Sequence, residues 1–88
     1  MSVHFDDQGW EDYLYWQRVD KRVLKKINEL IRDVQRSPFE GVGKPEPLKY
    51  DLVGLWSRRI DSEHRLVYEW DADNNCVIVL QCRYHYQK

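Results

Sequence analysis

The hydrophobic residues of the chain follow a helical period in the first half and a strand period in the second. The clearest helical pattern places apolar residues on one face, at Leu24, Ile27, Leu30, Ile31 and Val34. Asp20 before this pattern is a favoured N-cap residue, and Pro38 after it is incompatible with a continuing helix. The sequence therefore predicts an amphipathic helix that begins after Asp20 and ends before Pro38.

A second, shorter helix is predicted upstream, over about residues 8–17. Its helical spacing is carried by Trp10, Tyr13, Leu14 and Gln17. The preceding Asp6 and Asp7 can cap its first turn, and the short apolar stretch at residues 3–5 predicts a first strand.

The second half of the chain has the character of strands separated by turns. Strands are predicted at residues 55–60, 65–70 and 76–86, with turns at 61–64 and 71–75. Residues 38–47 hold three prolines and two glycines, which predicts a loop. The order β-α-α-β-β-β predicts an α+β fold, a single domain over residues 1–88 with an antiparallel sheet and both helices packed on one face.

Strand alternation divides the side chains of the predicted sheet between two faces. In the last strand the set Ile78, Leu80, Cys82, Tyr84 and Tyr86 stays apolar for longer, and we expect it to face the helices. The opposite face would then carry the polar side chains Arg59, Arg65, Arg83 and His85. Three arginines on one face repel one another unless an anion lies among them, and a guanidinium suits a phosphate. The alternative is that each arginine pairs with a local carboxylate such as Glu63 or Glu69.

The overall charge adds no evidence for a nucleic-acid partner. Fourteen Lys and Arg face fifteen Asp and Glu, and the formal net charge is −1. An anion site therefore requires that basic side chains be concentrated on one face of the protein. Four Trp and six Tyr suit the core of a small protein, although aromatic rings also stack on bases.

Targeting signals and disulfides are not expected. The N-terminus lacks a basic stretch followed by an apolar one, and the longest apolar run, residues 76–80, is too short to cross a membrane. Cys76 and Cys82 lie six residues apart on one predicted strand, about 20 Å when extended, so they cannot form a disulfide with each other. We expect reduced, buried cysteines and a cytoplasmic protein.

Glu46 is the candidate that adds a carboxylate to the arginine and histidine side chains. It lies between Pro45 and Pro47, which stiffen the backbone and aim the carboxylate, although a solvated loop glutamate is the simpler interpretation. A carboxylate, a guanidinium and an imidazole around one phosphodiester can cleave RNA through its own 2′-hydroxyl without a metal. They supply a base, a cation for the phosphate and an acid for the leaving oxygen.

Several stretches resemble one known family over nearly the whole chain, from about Trp10 to Tyr86. They read DYLYWQ, DKR..KKINELI.D, PFEG.GKPEPLK, SRRI..EHRLVY and CRYHY. The chain resembles the YoeB branch of the RelE-type toxins of bacterial toxin–antitoxin systems, whose fold is similar to that of microbial ribonucleases. The resemblance implies a ribosome-dependent endoribonuclease that cuts mRNA in the ribosomal A site, with no metal or other cofactor. It also implies a homodimer, a neutralising YefM-like antitoxin, and operator DNA bound only through the antitoxin complex.

The same resemblance assigns roles to individual residues. It implies that Glu46 is the general base, Arg65 stabilises the phosphate, His85 is the general acid and Tyr86 orients the substrate. The residues that would help to hold RNA are Lys49, Arg59 and Arg83.

Two departures and two alternatives accompany this interpretation. Gln87 and Lys88 extend past the tyrosine at which the family typically stops, and Tyr50 replaces a familiar histidine. One alternative is a non-catalytic RNA- or ribosome-binding module of the same fold. The other, a metal-dependent nuclease, is disfavoured because the histidines are scattered and no HExxH motif or carboxylate cluster is present.

Overall fold

The computed structural model describes residues 2–85, apart from the side chain of residue 51. Two helices, α1 and α2, follow the first strand, and the remaining strands occupy the second half of the chain. The elements are β1 (Ser2–Phe5), α1 (Asp7–Val19), α2 (Lys21–Arg36), β2 (Glu46–Pro47), a 3₁₀ turn (Tyr50–Leu52), β3 (Leu55–Arg59), β4 (Arg65–Asp71) and β5 (Cys76–Gln81).

The strands form one sheet in the order β1-β5-β4-β3-β2. The predicted α+β class is confirmed, and so are the two helices on one face. The prediction of a wholly antiparallel sheet is wrong at β1, which pairs with β5 in parallel. The cause is the helical connection: α1 and α2 carry the chain across the sheet face, which is the kind of crossover that parallel neighbours require.

The predicted helix boundaries are close to the observed ones. The carboxylate of Asp20 caps α2, since its Oδ1 accepts hydrogen bonds from the backbone N–H groups of Arg22 (2.9 Å) and Val23 (3.3 Å). Asp6 occupies the N-cap position of α1 without a side-chain hydrogen bond, and α1 runs two residues beyond the predicted end at residue 17. Within the described residues, neither helix is long and apolar enough to cross a bilayer.

The core lies between the helices and one sheet face, and a β-bulge decides which residues of β5 reach it. Val77 and Val79 are fully buried in the core cluster, whereas Ile78 and Leu80 are only partly buried. The predicted inward set is therefore wrong at residues 77–80. The register shifts at Leu80, because Val79 pairs with Tyr68 while Gln81 pairs with the preceding residue of β4. After this shift Cys82 faces the core, as predicted.

Both cysteines are free and buried, in agreement with the expectation from their spacing. Burial, with a smaller contribution from the Asp12 carboxylate, raises the pKa of the Cys82 thiol to about 12. The Cys82 side chain therefore remains a protonated thiol at neutral pH.

A buried arginine joins the sheet to the loop that follows α2. The Arg58 side chain projects inward from β3, is fully buried, and donates from Nη1 to Asp33 Oδ2 over 2.5 Å and from Nε to the Tyr68 hydroxyl over 3.1 Å. Its remaining N–H groups donate to the backbone carbonyls of Ser37, Glu40 and Val42. Every branch of the guanidinium is thus used, as a buried charge requires.

The same cluster fixes residues 37–43 from several sides. Asp33 Oδ2 also accepts from the backbone N–H of Val42 (3.0 Å), and the Tyr68 hydroxyl donates to the carbonyl of Pro38 (2.7 Å). Burial raises the pKa of Tyr68, so this hydroxyl keeps the proton that it donates. Gly41 has φ +123°, and a Cβ there would collide with the Asp33 carboxylate. The chain is thereby held where it enters β2.

The hydrogen bond from the Val42 N–H and the neighbouring Arg58 guanidinium lower the pKa of Asp33 below its ordinary value of 3.8. A carboxyl whose pKa is lower in the folded state stabilises the fold fully above its unfolded-state pKa. That contribution is lost as the pH falls from about 4 through the folded-state pKa.

We predict that Arg58→Met lowers the free energy of unfolding by about 3–5 kcal/mol, because it leaves the Asp33 carboxylate without its buried partner. Urea unfolding at pH 7 would measure this change. Arg36→Met is the matched control, since Arg36 also pairs with Asp33 but its side chain is 73% exposed, and its loss should cost less than about 1 kcal/mol. Equal effects of the two substitutions would contradict the structural role assigned to Arg58.

Candidate active site

The register of β2, β3 and β4 places a carboxylate and two guanidinium groups on the sheet face away from the helices. Glu46 lies opposite Ser57, and Arg59 lies opposite Arg65. Ser57 and Arg59 are two residues apart and therefore share a face. Residues 46 and 47 were predicted to be part of a loop, but they form the short edge strand β2, and this pairing aligns the Glu46 carboxylate with the arginines.

His85, which lies four residues after the end of β5, completes the group. Together these residues surround an open cleft of about 340 Å³. Its lining residues are Lys44, Glu46, Leu48, Leu52, Ser57, Arg59, Arg65 and His85. The structure thus gathers four of the predicted site residues, with Glu46, Arg59 and His85 exposed and Arg65 partly buried.

The arginines of the predicted site differ from Arg58 in having no carboxylate partner among residues 2–85. Arg65 Nη1 donates to the backbone carbonyls of Asp61 (2.8 Å) and His64 (3.1 Å). Among the residues that the structure describes, no ion pair includes Arg59, Arg65 or Arg83. The alternative that these arginines pair with Glu63 or Glu69 is therefore wrong for the described part of the chain. Two like charges directly opposite each other favour an anion between them.

Arg83 does not share this cleft, contrary to the alternation argument. β5 ends at Gln81 instead of continuing to residue 86, so strand alternation no longer applies beyond it. The Arg83 guanidinium lies 3.6 Å from the centre of the Tyr15 ring in α1, and its Nη2 donates to the Tyr84 hydroxyl over 2.9 Å.

The two other predicted site residues are Lys49 and Tyr86. Lys49 is exposed but is not among the lining residues, and Lys44 supplies the lysine at the rim. Tyr86 lies outside the described residues.

Backbone strain borders the cleft. Lys44 (φ 52°), Tyr50 (φ 62°) and Tyr84 (φ 62°) adopt left-handed conformations that favour glycine. Two of them lie on either side of Glu46 in the sequence, and the third precedes His85. Such strain is concentrated at functional sites, where the surrounding structure maintains it.

Sequence reasoning missed part of the lining. Ser57 shares a face with Arg59 by simple alternation, so that signal was available but suggested no chemistry. Leu48 and Leu52 form an apolar part of the lining, and no motif distinguishes them from core leucines. Within residues 2–85, no three His, Cys, Asp or Glu side chains are grouped as a metal site would require.

The arrangement is suited to acid–base chemistry on a bound anion. The two arginines can hold a phosphate by paired hydrogen bonds, and a carboxylate and an imidazole border the same cleft. An acceptor and a donor of protons around one phosphate are what transesterification requires.

The sequence is similar to known proteins over nearly its whole length. Residues 5–86 match the model of the YoeB-like toxin of bacterial type II toxin–antitoxin systems. Toxin YoeB of Escherichia coli K12 is 58% identical over 86 residues, which cover 98% of this chain and all of the relative.

Solved structures share the fold over nearly the whole chain. A YoeB/ParE toxin from Agrobacterium tumefaciens is 51% identical with a TM-score of 0.94, covering 98% of this chain and 100% of that one. The heterotetrameric YoeB–YefM complex from Staphylococcus aureus is 49% identical with a TM-score of 0.88, covering 96% and 95%. The YoeB dimer from the same organism is 48% identical with a TM-score of 0.89, covering 98% of each chain.

We predict that Arg59→Gln raises the free energy of unfolding by about 0.2–1 kcal/mol at low salt, because it removes the repulsion with Arg65. The gain should shrink at high salt, which screens charges, and urea titrations at two ionic strengths would measure it. Arg22→Gln, an exposed arginine of α2, is the control and should change little. Destabilisation by Arg59→Gln at low salt would show that the two arginines do not repel in the folded protein.

Proposed function

Because the chain belongs to the YoeB-like toxins of bacterial type II toxin–antitoxin systems, we propose that it is a ribosome-dependent endoribonuclease that inhibits translation. It would cleave mRNA in the ribosomal A site. The observation that supports this proposal most directly is the convergence of Glu46, Arg65 and His85 on one cleft. These residue types are the base, the phosphate clamp and the acid that cleavage of RNA needs.

The reaction follows from these roles. Glu46 takes the proton of the 2′-hydroxyl, and the resulting oxygen attacks the adjacent phosphorus. Arg65 and Arg59 donate hydrogen bonds to the non-bridging oxygens as negative charge develops there. His85 gives its proton to the departing 5′-oxygen, so the products end in a 2′,3′-cyclic phosphate and a 5′-hydroxyl. Because side chains supply every role, the step is metal-independent.

Residues around the cleft have supporting roles in this proposal. Lys49 and Arg83 would hold the message beyond the scissile phosphate, since both lie outside the cleft itself, and Tyr86 would orient the substrate. Lys44 joins this group because it lines the rim beside Glu46.

The relatives suggest the partners. The S. aureus YoeB occurs both as a dimer and in a heterotetrameric complex with YefM. We extend both states to this chain, with a YefM-like antitoxin as the neutralising partner and operator DNA bound only through that complex. An enzyme that acts on ribosomes would work in the cytoplasm.

The competing function is a non-catalytic RNA- or ribosome-binding module of the same fold. A protein that had lost its chemistry would be expected to lack at least one of the three reacting side chains. Glu46, Arg65 and His85 are all present and border one cleft.

We predict that the protein cuts ribosome-bound mRNA once, in the A-site codon, and that His85→Ala slows cleavage by about 10²–10⁴-fold, the usual contribution of one general acid. Mapping the 3′ ends after addition to programmed ribosomes would show the cut and its cyclic phosphate, with ribosome-free mRNA as the comparison.

His4→Ala is the matched control, because His4 is an exposed histidine of β1 that does not line the cleft. Cleavage by His85→Ala at the normal rate would show that His85 is not the acid. Absence of cleavage by the unsubstituted, folded protein would favour the binding module.

A further inference from the structure

The segment that carries His85, here called the terminal bend (residues 82–85), is held mostly by hydrogen bonds to side chains instead of by a continuous strand ladder. Because β5 ends at Gln81, the backbone groups of the bend need other partners. The first of them come from α1: Asp12 Oδ2 accepts from the Cys82 N–H over 3.0 Å, and Trp16 Nε1 donates to the Cys82 carbonyl over 2.8 Å.

His64 holds the bend at the residue that precedes His85. The backbone N–H of Tyr84 donates to His64 Nδ1 over 2.8 Å, and the Tyr84 carbonyl accepts from the backbone N–H of Arg65 over 3.0 Å. Tyr84 is one of the residues with a left-handed backbone, at φ 62°. An unfavourable conformation of this kind persists only where neighbouring groups maintain it.

The His64 ring is itself fixed in place. The residue is only 8% exposed, and its ring packs edge-to-face on Trp16 with centroids 4.8 Å apart. Because Nδ1 accepts a hydrogen bond, the ring proton lies on Nε2, which is 3.3 Å from Glu63 Oε1. The backbone N–H of His64 donates to Asp61 Oδ1 over 2.7 Å. The acceptor at Nδ1 is therefore presented in one orientation.

Gln81 closes the bend from the other side. Its Nε2 donates to the carbonyls of Arg83 (2.7 Å) and His85 (2.9 Å). Through its hydrogen bond to His64, Tyr84 attaches the bend to the turn between β3 and β4. Arg65 follows this turn directly, as the first residue of β4.

We propose that His64 is a positioning residue that sets the place of His85 by accepting the hydrogen bond of the Tyr84 N–H. Loss of the acceptor would leave the Tyr84 N–H unpaired and release the left-handed conformation that turns His85 toward the cleft. His64 does not line the cleft, so it would act on the reaction only through His85. The inference rests on the proposed function, in which His85 is the general acid.

Two substitutions separate the acceptor from the ring. His64→Phe keeps a ring against Trp16 but has no acceptor, whereas His64→Asn loses the ring and places its Oδ1 near the position of Nδ1. We expect His64→Phe to lower kcat on ribosome-bound mRNA by about 10–100-fold with little change in KM, the scale of a roughly 1 Å displacement. His64→Asn should restore most of that loss, and His4→Phe should leave kcat unchanged.

A chemically altered message tests whether the defect lies in acid catalysis. A sulfur in place of the 5′-bridging oxygen at the cut site leaves without protonation, so a misplaced acid no longer matters. The kcat of His64→Phe on this message should then approach that of the unsubstituted protein. The kcat of His85→Ala should also approach it. A defect that came only from lost stability would remain with this message.

Cys82 allows a variant that leaves His64 intact. Ligation at this cysteine can join residues 1–81 to a synthetic peptide in which an ester oxygen replaces the Tyr84 N–H. If His64→Phe does not fold, the ester protein replaces it in the experiment. It should show the same loss of kcat and the same recovery with the sulfur-containing message.

The possible outcomes distinguish this inference from the function on which it rests. Normal kcat for both His64→Phe and the ester protein would overturn the positioning role, as would a His64→Asn defect equal to that of His64→Phe. If His85→Ala itself cleaves the normal message at full rate, the proposed acid is wrong and the role of His64 falls with it. A defect in His85→Ala without one in the folded His64→Phe rejects the positioning role alone.

Discussion

The structure depends on how one buried charge is satisfied. The Arg58 guanidinium lies inside the core, where an unpaired charge would be strongly destabilising. It is satisfied by the Asp33 carboxylate of α2 and by several backbone carbonyls of the chain that follows α2. Meeting that need fixes the path of residues 37–43. The same path delivers Glu46 to the edge of the sheet beside Ser57. A requirement of the core on one face of β3 thus determines the position of the candidate base on the other.

The sequence was informative where a period or a residue type decides the structure, and less so where geometry between distant residues decides it. The apolar spacing of α2 and its Asp20 cap predict that helix closely, and alternation predicts that Arg59 and Arg65 share a face. No sequence pattern predicts the β-bulge at Leu80, and this bulge reverses which side chains of residues 77–80 enter the core. The proposed role of His64 could not be predicted from the sequence either, because it depends on a hydrogen bond from a backbone N–H twenty residues away.

The candidate site contains features that destabilise the fold locally. Arg59 and Arg65 face each other with like charges, and Lys44, Tyr50 and Tyr84 hold unfavourable backbone angles. Such local conflicts are typical of functional positions, where the remaining contacts of the fold compensate for them. The conflict and the compensation are close together here, since Arg58, which anchors the loop, lies next to Arg59.

The short strand β2 has a consequence for assembly. It forms an outer edge of the sheet, and an exposed edge ordinarily offers its N–H and carbonyl groups to a strand from another molecule. Pro47 within β2 and Pro45 before it have no N–H to offer, so a second strand could not extend the ladder past Glu46. The prolines that stiffen the backbone around the carboxylate therefore also protect this edge from β-augmentation and aggregation, and they leave the Glu46 side of the cleft uncovered.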